Sequence, residues 1–206
     1  MTITSLQVGP IMTNCYVVTH GAETVVVDPG DEAGRIIAAI KKTGCPLAAI
    51  WLTHGHFDHY TAVAGLLEQW PDTPVYIHPA DVTDAPAAGG WELKFPRLSE
   101  KNQRFYREGD TVAVGGAAFT VLETPGHSAG SVCLVGPGVI FCGDTLFRGS
   151  CGRTDFPDGS YAAMLRSLGR LGKLPGDYRC LCGHEGETTL AFERQHNPYL
   201  RQGMGL

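Results

Sequence analysis

The 206-residue sequence lacks the features that mark several large classes of protein. No apolar stretch approaches the ~20 residues that a membrane-spanning helix needs, so we expect no membrane association of that kind. Residues 1–6 have neither the basic start nor the apolar core of a signal peptide, which predicts a cytoplasmic protein. The net charge is −5 and no long basic run is present, so nucleic acid and acidic membrane surfaces are not expected partners.

Cysteine pairs of the kind that bind zinc or form disulfide frameworks are also missing. The seven cysteines are scattered, odd in number and never spaced as Cys-x-x-Cys. Apolar residues make up 43% of the chain and charged residues 18%, which is ordinary for a globular protein with a substantial core. The length fits a single domain over residues 1–206, without an internal repeat or a low-complexity tract.

The most informative stretch is residues 53–59, in which His54, His56, Asp58 and His59 fall within six positions. It follows an apolar run that predicts a buried strand and precedes apolar residues at helical spacing. It therefore lies at the carboxyl end of a strand, where α/β sheets place their ligands. Neutral imidazole and carboxylate are the donors that zinc prefers, although iron and manganese accept the same set. A polar loop whose histidines cap a helix is the alternative, and the density of ligands favours a metal site.

Three later stretches repeat this arrangement, each with one potential ligand directly after a predicted strand. These ligands are His127, Asp144 and His184, and each has a glycine beside it that allows close approach of the backbone. A lone histidine in a turn is usually structural, and Gly-Asp is common turn chemistry, so each stretch alone indicates little. Four ligand-bearing loops at strand ends together indicate one shared metal site.

The apolar pattern predicts an ordered series of strands and helices. Strands are predicted at residues 3–8, 15–19, 24–28, 47–52, 75–78, 111–114, 117–123, 131–135, 139–142 and 179–181, and helices at about 31–42, 59–70, 160–171 and 188–196. Asp31 is the predicted N-cap of the first helix, and Tyr161 and Met164 are expected on the core face of the third. This order predicts an α/β protein whose two sheets carry helices on their outer faces, a four-layer αββα sandwich.

The least regular segment is residues 84–110, which contains prolines, paired glycines, a tryptophan and a cluster of basic residues. The basic residues are Lys94, Arg97, Lys101, Arg104 and Arg107. A loop of this length is either a lid over the site or a solvated crossing, and the sequence favours neither.

The order His54-x-His56-x-Asp58-His59, then His127, Asp144 and His184, resembles that of the metallo-β-lactamase-fold hydrolases over nearly the whole chain. The resemblance implies that one metal ion is held by His54, His56 and His127. It implies a second ion held by Asp58, His59 and His184, with Asp144 bridging both. The true β-lactamases usually have cysteine at the Asp144 position, which argues against that branch. The implied cofactors are two divalent metal ions, zinc first, with iron or manganese as alternatives.

Within that superfamily, residues 143–147 and 151–153 resemble glyoxalase II, the hydroxyacylglutathione hydrolases, and residues 152–157 and 193–198 resemble their short bacterial subgroup. This implies hydrolysis of an S-lactoylglutathione-like thioester by a metal-bridging hydroxide, with Asp58 as the catalytic residue. Arg153 stands where that family has a lysine that grips a glutathione carboxylate, which implies substrate binding. Two departures from the glyoxalase II pattern argue against specific recognition of glutathione. Asp155 stands where that family has a tyrosine near the thioester, and the helical C-terminal domain of the long enzymes is expected to be missing.

No strong general acid is evident in the sequence. This absence fits a thioester better than an amide, because a thiol with a pKa of about 8.5 leaves readily as the thiolate. The expected partner is therefore a small-molecule thioester, with a glutathione conjugate as one option. The expected assembly is a monomer or a small homo-oligomer. Thr53, Asp28 and Ser128 are expected to orient the metal ligands, with a simple turn as the alternative for Asp28.

Two other functions stay open. Residues 151–156 also resemble the corresponding stretch of persulfide dioxygenases, which implies a single iron held by His54, His127 and Asp144. The other is a metal-binding module without turnover, although a ligand set that leaves a position for water argues against it. RNA processing is disfavoured by the acidic balance of the chain.

Overall fold

The computed structural model describes residues 1–84 and 92–206. The strands, in chain order, are β1 (Thr2–Val8), β2 (Thr13–His20), β3 (Glu23–Val27), β4 (Leu47–Trp51), β5 (Val75–Ile77), β6 (Val82–Thr83), β7 (Phe95–Pro96), β8 (Gln103–Phe105), β9 (Thr111–Val114), β10 (Ala117–Glu123), β11 (Val132–Gly136), β12 (Val139–Gly143), β13 (Arg179–Cys182) and β14 (Thr188–Thr189). The helices are α1 (Ala33–Thr43), α2 (Phe57–Tyr60), α3 (Val63–Gln69), α4 (Tyr161–Gly172), α5 (Leu190–His196) and α6 (Pro198–Met204), with a 3₁₀ turn at Pro79–Asp81. Within these described ranges, no helix has both the length and the apolar character needed to span a bilayer.

Most of the strands form two sheets of six strands each. The first has the order β1-β2-β3-β4-β5-β8, antiparallel from β1 to β3 and parallel from β3 to β8. The second has the order β14-β13-β12-β11-β10-β9 and is antiparallel except for the pair β12-β13. The short strands β6 and β7 pair with each other.

Aromatic side chains fill the space between the two sheets. Trp51 of β4 packs on Phe119 of β10 with ring centroids 5.3 Å apart, and Tyr16 of β2 packs on Phe141 of β12 at 5.5 Å. All four side chains are buried, and strand β10 alternates buried and less buried positions as a strand with one face on a core should. These tilted ring contacts hold the two sheets face to face.

Helices cover the outer face of each sheet. Ile36 of α1 and Leu66 of α3 belong to the apolar cluster on the first sheet, and Met164 and Leu168 of α4 belong to the cluster on the second. The predicted four-layer αββα sandwich is therefore confirmed. Tyr161 was expected beside Met164, but it is 45% exposed and its hydroxyl group donates to the side chain of Gln202.

The ligand-bearing loops leave the two sheets at one shared edge. Strands β10 and β12 run in the same direction because β11 is antiparallel to both, and β13 is parallel to β12. At this edge the amide of Val132 donates to the carbonyl of Thr53 at 2.9 Å, and the side-chain amide of Asn14 donates to the carbonyl of Cys182 at 3.1 Å. Each bond joins one sheet to the other, so the loops that follow β4 and β13 are fixed relative to each other.

The single helix predicted at residues 59–70 is wrong, because α2 and α3 are separate. The amide of Ala62 donates to the carbonyl of Pro29 at 3.0 Å instead of closing a helical turn onto Asp58. The backbone at Gly30 also lies so close that a Cβ atom there would be 1.7 Å from the carbonyl oxygen of Asp58. The break leaves Asp58 and His59 on a short helix of their own, which is held against the loop after β3.

The predicted N-cap at Asp31 is also wrong. Glu32 occupies that position in a left-handed conformation and makes no side-chain capping bond. The Asp31 carboxylate instead accepts from the amide of Glu32 at 2.6 Å. Helix α1 therefore begins without the side-chain capping that its sequence suggested, and packing of its apolar face supports it.

Helix α6 was not predicted. Asn197 and Pro198 follow the helix predicted at residues 188–196, and α5 does end at His196. The Asn197 side chain also accepts from the amides of Tyr199 and Leu200, and proline suits the first turn of a helix. The same two residues therefore end one helix and begin the next.

Strands β7 and β8, within the segment predicted to be irregular, were also missed. Strand β8 completes the first sheet by pairing with β5. On the exposed surface Arg97 pairs with Asp84, and Lys101 with Asp72 at 2.6 Å. Residues 85–91 lie outside the described residues, and the lid alternative for this segment stays a prediction there.

Candidate metal centre

The seven predicted ligands lie together where the loops after β4, β10, β12 and β13 meet. They form overlapping groups, in which the potential ligand atoms all lie within 4.8 Å of one another. The groups are His54, His56 and His127; His54, His59 and Asp144; and Asp58, His59 and His184. Five of the seven residues are buried, whereas Asp58 and His184 are partly exposed. The spacing of the sequence motifs and the chain topology thus bring all seven predicted side chains into one centre.

Asp144 lies between the outer members of the centre. Its Oδ2 atom is 3.4 Å from Nε2 of His127 and 3.5 Å from Nε2 of His184. Its Oδ1 atom is 3.4 Å from Nε2 of His59. Asp58 faces only the side of the centre that holds His59 and His184. Its Oδ2 atom is 3.2 Å from Nε2 of His184 and 3.3 Å from Nε2 of His59. This geometry suits Asp144 to contact two neighbouring ions and Asp58 to contact one.

Asp28 orients the loop after β4 and one of its histidines. Its carboxylate accepts from the amide of Thr53 at 2.8 Å and from the Thr53 hydroxyl group at 2.7 Å. Its Oδ2 atom is also 3.0 Å from Nδ1 of His59. A proton on that Nδ1 atom leaves the Nε2 lone pair directed into the centre. Asp28 has a φ of 50°, a left-handed conformation that is uncommon outside glycine, and these buried bonds stabilise it.

The backbone of Arg153 orients a second histidine. Nδ1 of His127 lies 2.8 Å from the carbonyl oxygen of Arg153, and it donates there because that oxygen can only accept. Nε2 of His127 is therefore the atom that can bind a metal. Arg153, predicted as a substrate-binding residue, thus supports the metal centre through its main chain.

The donor atoms have the character of metal ligands because their hydrogen-bonding capacity is unused. Among the described residues, Nε2 of His54, His56, His59 and His127 and Oδ1 of Asp144 are buried and make no hydrogen bond. A buried polar atom without a partner is destabilising by about 1–3 kcal/mol. These unsatisfied atoms converge on one point, and nitrogen and carboxylate donors suit zinc, iron or manganese. The residues present therefore fit divalent metal ions.

The charge states of the metal-free centre differ between its two sides. Burial lowers the pKa of His54 well below its usual range and that of His56 to about 3, so both imidazoles are neutral and ready to bind metal. Burial alone would also lower the pKa of His184, but hydrogen bonds to Asp144 and Asp58 outweigh it and raise this pKa to about 9. Burial alone would raise the pKa of Asp144, yet the facing histidines lower it to about 2. A proton on His184 thus compensates carboxylate charge until a cation does so.

Asp81, in the 3₁₀ turn, joins two ligand loops through a fully buried carboxylate. Oδ2 accepts from the amide of Gly55 at 2.9 Å and from the hydroxyl group of Ser128 at 2.6 Å. Oδ1 accepts from the amide of Gly130 at 2.6 Å. Gly55 separates His54 from His56, and Ser128 follows His127, so Asp81 connects the chain segments of one ligand group. Ser128 was expected to orient a ligand side chain, but its hydroxyl group donates to Asp81, and Nδ1 of His127 is bonded by the carbonyl group of Arg153 instead.

Two further contacts hold the carboxylates of the centre. The hydroxyl group of Thr13 donates to Oδ2 of Asp58 at 2.8 Å. A Cβ atom at Gly183 would lie 2.1 Å from Oδ1 of Asp144, so glycine is needed there to leave room for that oxygen. Neither Thr13 nor Asp81 was predicted, since a threonine in a strand and an aspartate after Pro-Ala carry no local sign of their long-range partners.

An open cleft of about 510 Å³ lies beside the centre, within the usual range for a small-molecule site. Apolar side chains form most of its wall, and the metal-ligand side chains form its floor. The apolar wall residues are Ile11, Phe57, Leu93, Phe147 and Phe156. Phe156 packs edge-on against the ring of His56 at 4.8 Å and that of His127 at 5.4 Å.

The side chain of Arg153 lies at the rim of this cleft. It makes a two-point contact with Asp155, with Nε 2.7 Å from Oδ1 and Nη2 2.7 Å from Oδ2. Its guanidinium carbon is 4.6 Å from the ring centroid of Phe156. Cys151, in the same loop, is no candidate nucleophile, because burial raises its thiol pKa to about 11.

Comparison with protein families and curated proteins identifies related chains. The family model described as "Metallo-beta-lactamase superfamily" matches residues 8–184. A probable metallo-hydrolase of Bacillus subtilis is 36% identical over 202 residues, which cover 95% of each chain. A hydroxyacylglutathione hydrolase of Cupriavidus metallidurans is 41% identical over 177 residues, which cover 82% of this chain and 62% of that enzyme. The similarity to the hydroxyacylglutathione hydrolase is thus partial in length.

Solved structures of similar shape include three with appreciable sequence identity. TTHA1623 in a di-iron-bound form has a TM-score of 0.80 at 40% identity, and the alignment covers 95% of this chain and 99% of TTHA1623. The B3 metallo-β-lactamase BLEG-1 has a TM-score of 0.82 at 32% identity, and the alignment covers 97% of this chain and 99% of BLEG-1. ETHE1 from Myxococcus xanthus has a TM-score of 0.81 at 29% identity, and the alignment covers 96% of this chain and 84% of ETHE1.

Proposed function

Because the chain belongs to the metallo-β-lactamase superfamily and is one of its metal-dependent hydrolases, we propose that it hydrolyses small-molecule thioesters. The observation that carries the proposal is the meeting of two ligand groups, with Asp144 between them, on the floor of an open cleft. The partial similarity to a hydroxyacylglutathione hydrolase supports the choice of a thioester.

Two divalent ions, when bound, supply a water of lowered pKa and a Lewis acid for the substrate carbonyl group. We assign His54, His56 and His127 to one ion, Asp58, His59 and His184 to the other, and Asp144 to both. Zinc is the first expectation for their identity, with iron or manganese as alternatives, and iron has support from the di-iron form of TTHA1623.

Asp58 is the proposed catalytic residue. Its partly exposed carboxylate lines the cleft, and Thr13 holds its Oδ2 atom in place. From there it can accept a hydrogen bond from the attacking water and direct the water's lone pair toward the carbonyl carbon. Neighbouring histidines, which outweigh the opposing effect of burial, lower the pKa of Asp58, so this carboxylate stays ionised and able to accept.

The leaving group needs little help from the protein. Thiols have a pKa of about 8.5, so a thiolate departs near neutral pH without a strong general acid. Among the described residues that line the cleft, every histidine and carboxylate is assigned to an ion, so none is left as an acid to protonate an amine or alkoxide. Arg153 is the proposed substrate-binding residue, since it is the one arginine or lysine among these lining residues.

A persulfide dioxygenase that uses a single iron is the second candidate function. It is favoured by the resemblance of residues 151–156 and would use His54, His127 and Asp144. In this chain those three ligands are accompanied by a second complete group, Asp58, His59 and His184. The second group favours the dinuclear hydrolase.

Metal analysis of the purified protein, combined with a substrate panel, tests the proposal. The panel contains S-lactoylglutathione, uncharged thioesters, lactones and glutathione persulfide. We expect two ions per chain and release of free thiol from at least one thioester. One iron per chain with oxygen uptake on the persulfide would overturn the proposal in favour of the dioxygenase, and two ions without turnover of any thioester would also contradict it.

A further inference from the structure

The wall of the cleft beside the metal centre is apolar and carries little usable charge. Ile11, Phe57, Leu93, Phe147 and Phe156 line it, and Ile11 is 39% exposed although its side chain is apolar. An isolated exposed apolar residue is ordinary, but several that surround a concave site indicate an apolar ligand. Each methylene group of a ligand buried on such a wall strengthens binding about fourfold.

Among the described lining residues, Arg153 offers the one permanent positive charge on the wall, and its charge is already compensated. Asp155 accepts from Nε and Nη2 at 2.7 Å each, a two-point contact that occupies one whole edge of the guanidinium group. The face of the same group lies on Phe156. Because the two residues are only two positions apart, the pair forms within one loop and needs no substrate to assemble it.

A substrate carboxylate at this rim would meet both members of the pair. It has to share Arg153 with Asp155, whose own negative charge repels it across a few ångströms. The hydrogen bonds from Arg153 lower the pKa of Asp155 to about 2, so this repulsion persists at every physiological pH. Both side chains are more than 60% exposed, so solvent screens the repulsion, and it changes selectivity by about two- to fivefold instead of excluding anions outright.

We propose that Asp155 is a specificity-determining residue that neutralises Arg153, so that the cleft selects thioesters that place an uncharged, apolar group at this rim over those that place a carboxylate there. This inference rests on the proposed thioesterase function and names the substrate class of the same site. It assigns opposite roles to two neighbouring residues: Arg153 contacts the substrate, and Asp155 removes the preference for anions that an unpaired arginine would create.

The test compares wild type with Asp155→Asn on two N-acetylcysteamine thioesters of matched length. Pentanoyl is the uncharged acyl group, and glutaryl ends in a carboxylate. A second pair, the pentanoyl thioesters of 3-methylbutane-1-thiol and 3-mercaptopropionate, places the same difference on the thiol side. In the pair whose varied end reaches the rim, we expect wild type to favour the uncharged thioester in kcat/KM. Asn keeps the size of Asp155 but not its charge, so Asp155→Asn should raise kcat/KM for the carboxylate-bearing thioester of that pair about two- to fivefold relative to the uncharged one, chiefly through KM.

Asp72→Asn is the matched control, since Asp72 is also an exposed aspartate paired with a cation, Lys101, and does not line the cleft. This variant should leave the ratio of the two kcat/KM values at the wild-type value. The proposal is overturned if wild type favours the carboxylate-bearing thioester in both pairs, or if Asp155→Asn changes the two members of each pair by the same factor.

Failure of the proposed function gives a different result. If wild type loaded with two ions per chain cleaves no thioester of these pairs or of the panel above, thioester hydrolysis is wrong, and binding then decides the charge inference. The amide analogues of both pairs are titrated into the protein, and their dissociation constants are measured by calorimetry. The inference is supported if, in at least one pair, the uncharged amide binds more tightly and the difference between the two dissociation constants narrows in Asp155→Asn. Equal or tighter binding of the carboxylate-bearing amide in both pairs refutes it.

Discussion

The metal centre and the rim of the cleft beside it are built in opposite ways. In the centre, ligands come from four loops of two sheets, and buried partners distant in sequence hold them, as Asp28 holds His59. At the rim, Arg153 and Asp155 are two positions apart and largely exposed. The centre is therefore fixed by the whole fold, whereas the rim can change with little effect on the fold. Under the proposed function, reaction type would depend on the first region and choice of substrate on the second.

The largest expected effect in this comparison is that of Asp58→Ala. Removal of the carboxylate deletes one metal ligand and the acceptor for the attacking water, so kcat should fall by on the order of 10²- to 10⁴-fold. The metal-free variant should still fold, with a lower melting temperature, because Thr13 and His184 lose the carboxylate that they contact in the wild-type protein. Steady-state kinetics on a cleaved thioester and thermal melts check both points. Unchanged kcat would remove Asp58 from the mechanism.

Asp81→Asn tests whether the centre depends on support from a distance. Both carboxylate oxygens of Asp81 accept from N–H or O–H groups, so either orientation of an amide turns an NH₂ group toward a donor. The loops that carry His54, His56 and His127 should loosen, and metal affinity should fall by roughly 10–100-fold. Competition with a chromogenic chelator measures this affinity.

The rim supplies the matched control, because Asp155→Asn is the same chemical change at an exposed position. It should leave metal affinity at the wild-type value. Equal losses of metal affinity in the two variants would contradict the separation of centre and rim. Normal affinity in Asp81→Asn would show that the two ligand loops do not need this carboxylate.

A smaller effect is expected from pH, and its sign follows from His184. In the metal-free protein its pKa is raised from 6.5 to about 9 by Asp144 and Asp58, against the lowering effect of burial. The imidazole is therefore protonated at pH 7 and must release its proton before it binds a metal. Apparent affinity at this position should weaken about tenfold per pH unit as pH falls below about 9, and should level off above it.

Calorimetric titration of metal at pH 7 in buffers of different ionisation enthalpy detects the proton released. The same titration near pH 10 should detect less. Asp155→Asn should follow the wild-type curve, since the rim pair makes no contact with His184. An affinity that is flat between pH 7 and 9 would contradict the assigned charge state.

The sequence predicted the αββα sandwich and the meeting of the seven potential ligands because both leave periodic or dense local signals. His54, His56, Asp58 and His59 stand in one stretch, and the order of strands brings the other three ligands to the same edge. The supporting residues leave no such signal. Thr13 and Asp81 act on positions 45 and 26 or more residues away, and sequence spacing does not encode those contacts.

Errors in the predicted elements have two origins. The 59–70 helix is broken by a hydrogen bond from Ala62 to Pro29, a partner that no helical pattern can reveal. Helix α6 is missing from the prediction because Asn-Pro is typical of the end of a helix, whereas here the Asn197 side chain also caps the next one. Local rules thus predicted the long elements, and they missed short elements and boundaries set by distant partners.

The hydrogen bonds of Val132 with Thr53 and of Asn14 with Cys182 join the two sheets at the edge that holds the ligands. Ions bound to ligands from both sheets act at the same seam, so metal supply and conformational stability are thermodynamically linked in this molecule. Each tenfold rise in free metal above the dissociation constant adds about 1.4 kcal/mol to the free energy of unfolding. Chelation would therefore shorten the lifetime of the chain in the presence of proteases as well as stop its chemistry.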